Sequence, residues 1–224
     1  MKKFAVGVVI AIVVVAVFIS YYFYMGERFY GRGMQLEREG RYEEAAGEYW
    51  KASFSNQAPI AREGVARCYY HCAEELVDDR KYAEAVEKYR KVVDSYSDTT
   101  YASKDHAVAV CSEIIRHGDL TTREDASIVI AKACKSNVDE LIPYLSDEQT
   151  VTVYFPLIMI GEERTVDALV EALDNFGYKR MALDYLNSGN VKLENAAERW
   201  ADKHGYKVVT STGAPMVVWG GGLR

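Results

Sequence analysis

Proline and positive charge are both scarce in this chain of 224 residues. It contains only four prolines, and its 33 acidic residues outnumber its 27 Lys and Arg residues, for a formal net charge of −6. Few prolines permit long helices, because proline inside a helix removes a backbone hydrogen bond. Nucleic-acid binding depends on clusters of Lys and Arg that neutralise phosphates, and no such stripe stands out. The composition therefore favours an all-α fold and argues against nucleic acid as a partner.

Motifs of catalysis are absent too. The sequence contains no phosphate-binding loop, dinucleotide fingerprint, zinc-protease helix or nucleophile elbow. The four histidines, His71, His106, His117 and His204, stand far apart and are not accompanied by an evident nucleophile motif. We predict that the protein is not an enzyme and needs no cofactor and no small-molecule substrate.

Cysteine is rare, and its spacing is not that of a metal site. Cys68, His71 and Cys72 form the only compact group of candidate ligands. On a helix His71 projects about 100° away from Cys72, and the spacing is not Cys-x-x-Cys, so we predict no metal and interpret the cysteines as packing residues. The alternative in an oxidising compartment is that the four cysteines, Cys68, Cys72, Cys111 and Cys134, form disulfides, for example from Cys68 or Cys72 to Cys111, and the sequence does not fix the pairing.

A long run without charge is present at the start of the chain. Residues 4–25 contain no charged side chain, and at about 1.5 Å per residue a helix of this length crosses a hydrocarbon core of about 30 Å. Lysines before such a segment favour a cytoplasmic N-terminus, and tyrosines favour the far interface. The residues predicted at the two interfaces are Lys2, Lys3, Tyr21, Tyr22 and Tyr24.

The alternative for this run is a cleaved signal peptide. The run is long for that role, and Phe18 occupies a position where cleavage would require a small residue. We therefore predict an uncleaved single-pass anchor, with the rest of the chain on the extracytoplasmic side of the membrane.

The segment after the run repeats itself with an offset of 40 residues, as from Tyr42 to Tyr82. In each copy a polar turn separates two helical patterns, so each copy predicts a helical hairpin. The matched residues are Tyr30, Leu36, Tyr42, Glu44, Ala45, Tyr49 and Lys51 in the first copy, and Tyr70, Leu76, Tyr82, Glu84, Ala85, Tyr89 and Lys91 in the second.

These copies resemble the tetratricopeptide repeat (TPR) family. Small and aromatic positions of that family are matched by Gly33, Gly40, Tyr42, Ala45, Tyr49 and Ala52, and then by Tyr69, Ala73, Leu76, Tyr82, Ala85, Tyr89 and Val92. The offset exceeds the family's period of about 34 residues, and we expect the excess in the loop 53–62, where Pro59 would interrupt a helix. Arg80 replaces the turn glycine of the second copy.

The resemblance implies a groove lined by the first helix of each hairpin, on which a protein partner binds. The groove residues it implies are Tyr30, Met34, Arg67, Tyr70, Glu74 and Lys104. Because few residues separate the predicted anchor from the first hairpin, a membrane-associated partner is favoured.

The second half of the chain predicts further helices. A helix over 102–116 is expected to start at Asp98 or Thr99 and to end at Gly118, and the next helix is expected to be capped by Thr121 or Thr122. A repeat with an offset of 28 residues, from Leu141 to Leu169, follows. It resembles short HEAT-like repeats, with Pro156 shortening one helix and a last helix over 191–204.

The predicted organisation is a cytoplasmic tip at 1–3, an anchor at 4–25, TPR-like repeats at 26–118, HEAT-like repeats at 119–206 and a tail at 207–224. The tail is either a small hairpin, an arm that docks on a partner, or unstructured. The predicted function is a membrane-anchored scaffold for protein–protein interaction or complex assembly. The alternative is an accessory structural subunit held in a membrane complex by its anchor and C-terminal arm.

Overall fold

The computed structural model describes the backbone of residues 2–210 and 217–219, and the side chains of residues 13–209. The described part is helical except for one two-stranded hairpin near the C-terminus, so the predicted all-α class is confirmed. The helices are α1 (Lys2–Arg38), α2 (Tyr42–Ala52), α3 (Ala58–Asp78), α4 (Tyr82–Ser95), α5 (Lys104–His117), α6 (Leu120–Ala133), α7 (Tyr154–Ile160), α8 (Val166–Phe176), α9 (Lys179–Leu186) and α10 (Val191–Lys203).

The C-terminal hairpin pairs β1 (Val208–Thr210) with β2 (Val217–Trp219) in antiparallel register, with Val208 opposite Trp219. Of the three structures predicted for the tail, the backbone of these two segments forms the hairpin. The remaining residues after Thr210 lie outside the described part of the chain.

The predicted anchor at 4–25 begins before the described side chains, which start at Val13. Within the described residues no helix combines the length and the hydropathy that crossing a membrane requires. Lys2 and Lys3, predicted at the inner interface, have no described side chains.

The chain forms two compact units. The first contains the residues up to Asp79 together with Glu87–Ala102, and the second contains Arg80–Val86 together with the residues from Ser103 onward.

The repeat identified in the sequence corresponds to two helical pairs, α1 with α2 and α3 with α4. Ala45, Tyr49, Ala85 and Tyr89, at matching positions of α2 and α4, are completely buried. The helical pattern predicts Tyr42, Tyr49, Tyr82 and Tyr89 as core residues of the hairpins, and this is confirmed for Tyr49 and Tyr89. Tyr42 and Tyr82, which match each other across the repeat, are only partly buried.

Both hairpin turns contain a residue with left-handed backbone. Gly40 has φ of 72° and Arg80 has φ of 60°. A left-handed conformation costs a residue that carries a Cβ about 1–2 kcal/mol, whereas glycine adopts it freely. The second turn therefore has a left-handed residue at the same repeat position as the first, but with backbone strain at Arg80.

The prediction that Pro59 interrupts a helix was wrong. The loop between α2 and α3 extends only over residues 53–57, and Pro59 lies in the first turn of α3. Proline fits there because backbone N–H groups of the first turn have no partner within the helix. Residues 58–62, expected in the loop, instead extend α3, which is 21 residues long.

Two predicted helix starts also differ. α5 begins after Ser103, because the Asp98 carboxylate is held by Arg62 and the Thr99 hydroxyl donates to the Tyr96 carbonyl. α6 begins after Asp119, whose carboxylate accepts the Thr122 backbone N–H at 2.8 Å. Asp and Thr are both good N-cap residues, so the sequence left the choice open.

The two copies of the 28-residue repeat fold differently. Val166–Phe176 forms the α-helix α8, whereas Val138–Glu140 and Ile142–Ser146 form two 3₁₀ turns. Pro143 lies in the second of these turns and has no N–H to continue an α-helix from the first. Pro156, predicted to shorten a helix, lies in the first turn of α7, which is seven residues long.

The second unit has a buried arginine at its centre. Arg123 in α6 is 1% exposed, its guanidinium lies 3.9 Å from the Phe155 ring centroid, and it pairs with Asp184 in α9. The Tyr154 hydroxyl donates to the same carboxylate at 2.6 Å. Burial raises the pKa of Tyr154 well above its ordinary value, so this hydroxyl remains a proton donor. The cluster thereby joins α6, α7 and α9.

Candidate interaction surface

A tyrosine held between two glycines connects the first three helices. Gly33 in α1 and Gly64 in α3 both lie against the Tyr49 ring, and a Cβ on either glycine would be 2.8 Å from a ring carbon. Real Cβ atoms are not found this close to a neighbour. Glycine at both positions therefore lets α1 and α3 approach the ring of α2.

An ion pair beside this ring joins α1 to α3. The Arg67 guanidinium donates to both oxygens of Glu37, at 2.5 and 2.8 Å, and the Tyr49 hydroxyl donates to Glu37 Oε2 at 2.6 Å. The hydrogen bond from Arg67 is the main cause that holds the pKa of Glu37 below its ordinary value, against the effect of burial. The Glu37 carboxylate therefore remains ionised and accepts three hydrogen bonds. Both partners of the ion pair remain partly accessible.

Tyr30 and Met34 extend this surface along α1. Both are partly buried and pack against the core around Tyr49, and the Tyr30 and Tyr49 ring centroids are 5.3 Å apart. Three of the predicted groove residues, Tyr30, Met34 and Arg67, are therefore brought together around Tyr49 and Glu37. We call this set the α1–α3 surface.

Tyr70 is packed among other aromatic rings rather than exposed at the surface. It is 9% exposed, and its ring centroid lies 5.3 Å from that of Tyr101 and 6.0 Å from that of Tyr89. Burial raises the pKa of Tyr70. Glu74, one turn further along α3, is exposed, and its carboxylate lies 2.9 Å from Nδ1 of His71. Tyr70 is therefore a packing residue rather than a groove residue, whereas Glu74 remains accessible on the same helix.

Lys104, the remaining predicted groove residue, belongs to the second unit. Its ammonium lies 3.1 Å from the Glu140 carboxylate, and this contact lowers the pKa of Glu140.

Sequence reasoning missed Glu37, the residue at the centre of the α1–α3 surface. Its match at the repeat offset is Val77, so the internal repeat gives no signal there. The signal available in the sequence was indirect: Arg67 is a cation in a helical segment whose neighbouring positions 64–66 and 68 are small or apolar, and a cation in such surroundings requires a carboxylate partner.

A second surface lies where the uncharged part of α1 meets the loop after α2. Side chains of both segments line an open pocket of about 530 Å³. The described lining residues are Phe18, Ile19, Tyr21, Tyr22, Met25, Gly26, Phe29, Lys51, Phe54 and Ser55. Tyr21 and Tyr22, predicted at the outer membrane interface, belong to this lining, and Tyr24 is exposed beside it.

All four cysteines are free and buried, in agreement with their interpretation as packing residues. Burial raises the pKa of Cys68 to about 12 and that of Cys72 to about 11, so both thiols stay protonated at neutral pH. Among the residues with described side chains, no three His, Cys, Asp or Glu residues are grouped so as to hold a metal ion.

Comparison with protein-family models, with curated proteins and with solved structures gave no match to this chain.

Proposed function

We propose that this protein is a membrane-anchored scaffold of TPR-like and then HEAT-like helical repeats, which binds a protein partner on its α1–α3 surface. In this proposal the charge-free run 4–25 is the anchor, the N-terminus is cytoplasmic and the repeats are extracytoplasmic. No catalytic role is assigned.

The observation that supports the binding role is the α1–α3 surface itself. Tyr30 and Met34 offer partly exposed apolar area beside the Glu37–Arg67 ion pair. Aromatic and arginine side chains are enriched at protein interfaces. The surface is also pre-organised, because the Tyr49 ring and the Glu37 carboxylate fix their neighbours in place. A partner therefore loses little free energy in ordering it.

The partner that this surface fits is an extended or helical segment of a membrane protein. Helical repeats commonly bind such segments along a groove. Met34 lies nine residues after Met25, the last residue of the charge-free run, a distance of about 14 Å along a helix. A partner bound at Met34 is thus close to the lipid surface.

Site-specific photo-crosslinking tests this proposal. A photoreactive amino acid at Tyr30 or Met34 should capture the same membrane-embedded protein, because both side chains belong to one surface. The matched control is Glu87, an exposed residue of α4, which should not capture it. Capture of soluble proteins only, or of nothing, from both test positions would count against the proposal.

The accessory-subunit alternative is supported by a different observation. The C-terminal segment is not merely a tail, since β1 and β2 pair and backbone atoms of β2 approach α9. Deletion of residues 207–224 separates the two functions. Loss of co-purification with membrane proteins favours the accessory role, whereas unchanged co-purification favours binding at the α1–α3 surface.

A further inference from the structure

Trp50 and Phe54 form an exposed aromatic pair at the end of α2, and Phe54 lines the pocket shared with α1. Their side chains are 52% and 62% exposed, and their rings meet edge to face with centroids 4.8 Å apart. Trp50 is in the last turns of α2, and Phe54 is in the loop that follows. Two large aromatic residues exposed together usually mark a contact.

The loop that carries Phe54 is held against α1 at a defined position along the helix. Ser55 is buried, and a Cβ at Gly26 would collide with its side chain. The Ser55 hydroxyl donates to the Ala52 carbonyl, and the Gln57 backbone N–H donates to the Ser55 hydroxyl. The loop therefore fixes Phe54 at the level of Gly26, directly after the charge-free run.

The surface that contains Phe54 continues along the charge-free part of α1. The pocket between them is lined by Phe18, Ile19, Tyr21 and Tyr22, all of which are largely exposed. Among the described lining residues Lys51 is the only Lys, Arg, Asp or Glu, and its ammonium lies 5.6 Å from the Phe29 ring centroid and 2.7 Å from Glu48. The Lys51 ammonium thus lies at the Phe29 end of the pocket, beyond the charge-free run.

We infer that Trp50 and Phe54 insert into the interfacial region of the lipid bilayer beside the anchor. The first unit then contacts the membrane at a second site in addition to the anchor. This inference depends on the anchor of the proposed function, because it is the anchor that brings this surface to the membrane. We call Trp50, Phe54 and the neighbouring pocket the aromatic foot.

Three features match the foot to lipid rather than to water. Trp, Tyr and Phe prefer the boundary between headgroups and acyl chains. The pocket opens along a helix segment that would itself lie in lipid. Lys51, whose ammonium lies near Phe29, can extend that ammonium towards headgroup phosphates while its methylene groups remain in apolar surroundings.

The test uses the full-length protein reconstituted in vesicles of phosphatidylcholine and phosphatidylglycerol. Phe54→Cys is labelled with an environment-sensitive fluorescent maleimide. The four native thiols are buried, so the unsubstituted chain provides the labelling control. Glu39→Cys is the matched control, because Glu39 is exposed in the α1–α2 turn, about 20 Å further along α1 than Gly26.

A nitroxide near the top of the lipid acyl chains should reduce the fluorescence at position 54 by about twofold or more, because the label would lie at the depth of an interfacial aromatic residue. Iodide in the water should have little effect there. The label at position 39 should show the opposite pattern.

Flotation of the vesicles, measured in parallel, separates failure of the foot from failure of the anchor. A chain that floats while its label at position 54 is quenched only by iodide overturns the aromatic foot and leaves the anchor intact. A label protected from both quenchers also overturns it, and indicates that a protein covers the surface. A chain that does not float overturns both the anchor and the foot.

Discussion

The Tyr49 ring between two glycines gives a quantitative prediction for Gly33→Ala. The added methyl group would lie 2.8 Å from Tyr49 Cδ1. The ring has no room to move away, because it is completely buried and its hydroxyl is bonded to Glu37. Overpacking of this kind costs about 1–3 kcal/mol, and replacing glycine by alanine in a helix returns about 1 kcal/mol. The net effect should be a loss of about 1 kcal/mol in stability.

Gly31→Ala is the matched control on the same helix. A Cβ at Gly31 has no neighbour within 4 Å, so only the gain in helix preference of about 1 kcal/mol remains. The two substitutions should therefore differ by about 2 kcal/mol in the free energy of opening, which corresponds to about a 30-fold difference in protection.

Amide hydrogen exchange of peptides from α1 and α2 is the suitable assay, because it reports the first unit without requiring the whole chain to unfold in one step. Gly64→Ala should lose protection as Gly33→Ala does. Replacing Tyr49 by Leu in the Gly33→Ala background should remove most of the penalty of the alanine. Equal protection in Gly33→Ala and Gly31→Ala would refute the close packing of the ring.

Three further outcomes are expected. Arg80→Gly should raise the free energy of unfolding by about 0.5–1 kcal/mol in urea titration, because it removes left-handed strain that the matching Gly40 does not have. Asp184→Asn should destabilise the second unit by about 3–5 kcal/mol, seen as lost exchange protection in α6 and α9, because Arg123 would be left as an unpaired buried charge. Acidification should weaken the first unit, because the pKa of Glu37 is lower in the folded chain than its ordinary value of 4.5. The stability that Glu37 contributes is complete above that value and is lost as the pH falls through the folded pKa, measured as urea midpoints from about pH 7 to about pH 3.

Each of these outcomes has its own control. Gly40→Ala should destabilise where Arg80→Gly stabilises. Asp174, an exposed residue of α8, should tolerate replacement by Asn with little change. Glu37→Gln should remove part of the pH dependence of the first unit, and an unchanged pH profile in that variant would contradict the role given to the Glu37 carboxylate.

The core of the two helical hairpins could be predicted because it repeats. Tyr49 and Tyr89, with Ala45 and Ala85, occur at the same positions of two copies, and a residue type kept at the buried face of both hairpins indicates packing. Helix starts were less predictable. Several residues near each start can act as caps, and neighbours such as Arg62, which holds Asp98, decide between them.

The candidate surfaces could be predicted only in part, because they depend on contacts that no local pattern encodes. Arg67 was identified from its helix face, but Glu37 is 30 residues away and off the repeat offset. Tyr70 is buried because Tyr101, in a 3₁₀ turn beyond α4, packs against it. The aromatic foot exists because Ser55 packs at Gly26, a contact between distant loop and helix residues.

Because α1 is one continuous helix from Lys2 to Arg38, the number of residues before Gly26 sets the direction in which the α1–α3 surface faces. Each residue inserted between Met25 and Gly26 would turn the part of the chain that follows by about 100° and shift it by about 1.5 Å relative to the first part of the helix. A single inserted residue would therefore point the α1–α3 surface in a different direction without altering any contact within it, whereas insertion of a full heptad would nearly restore its bearing.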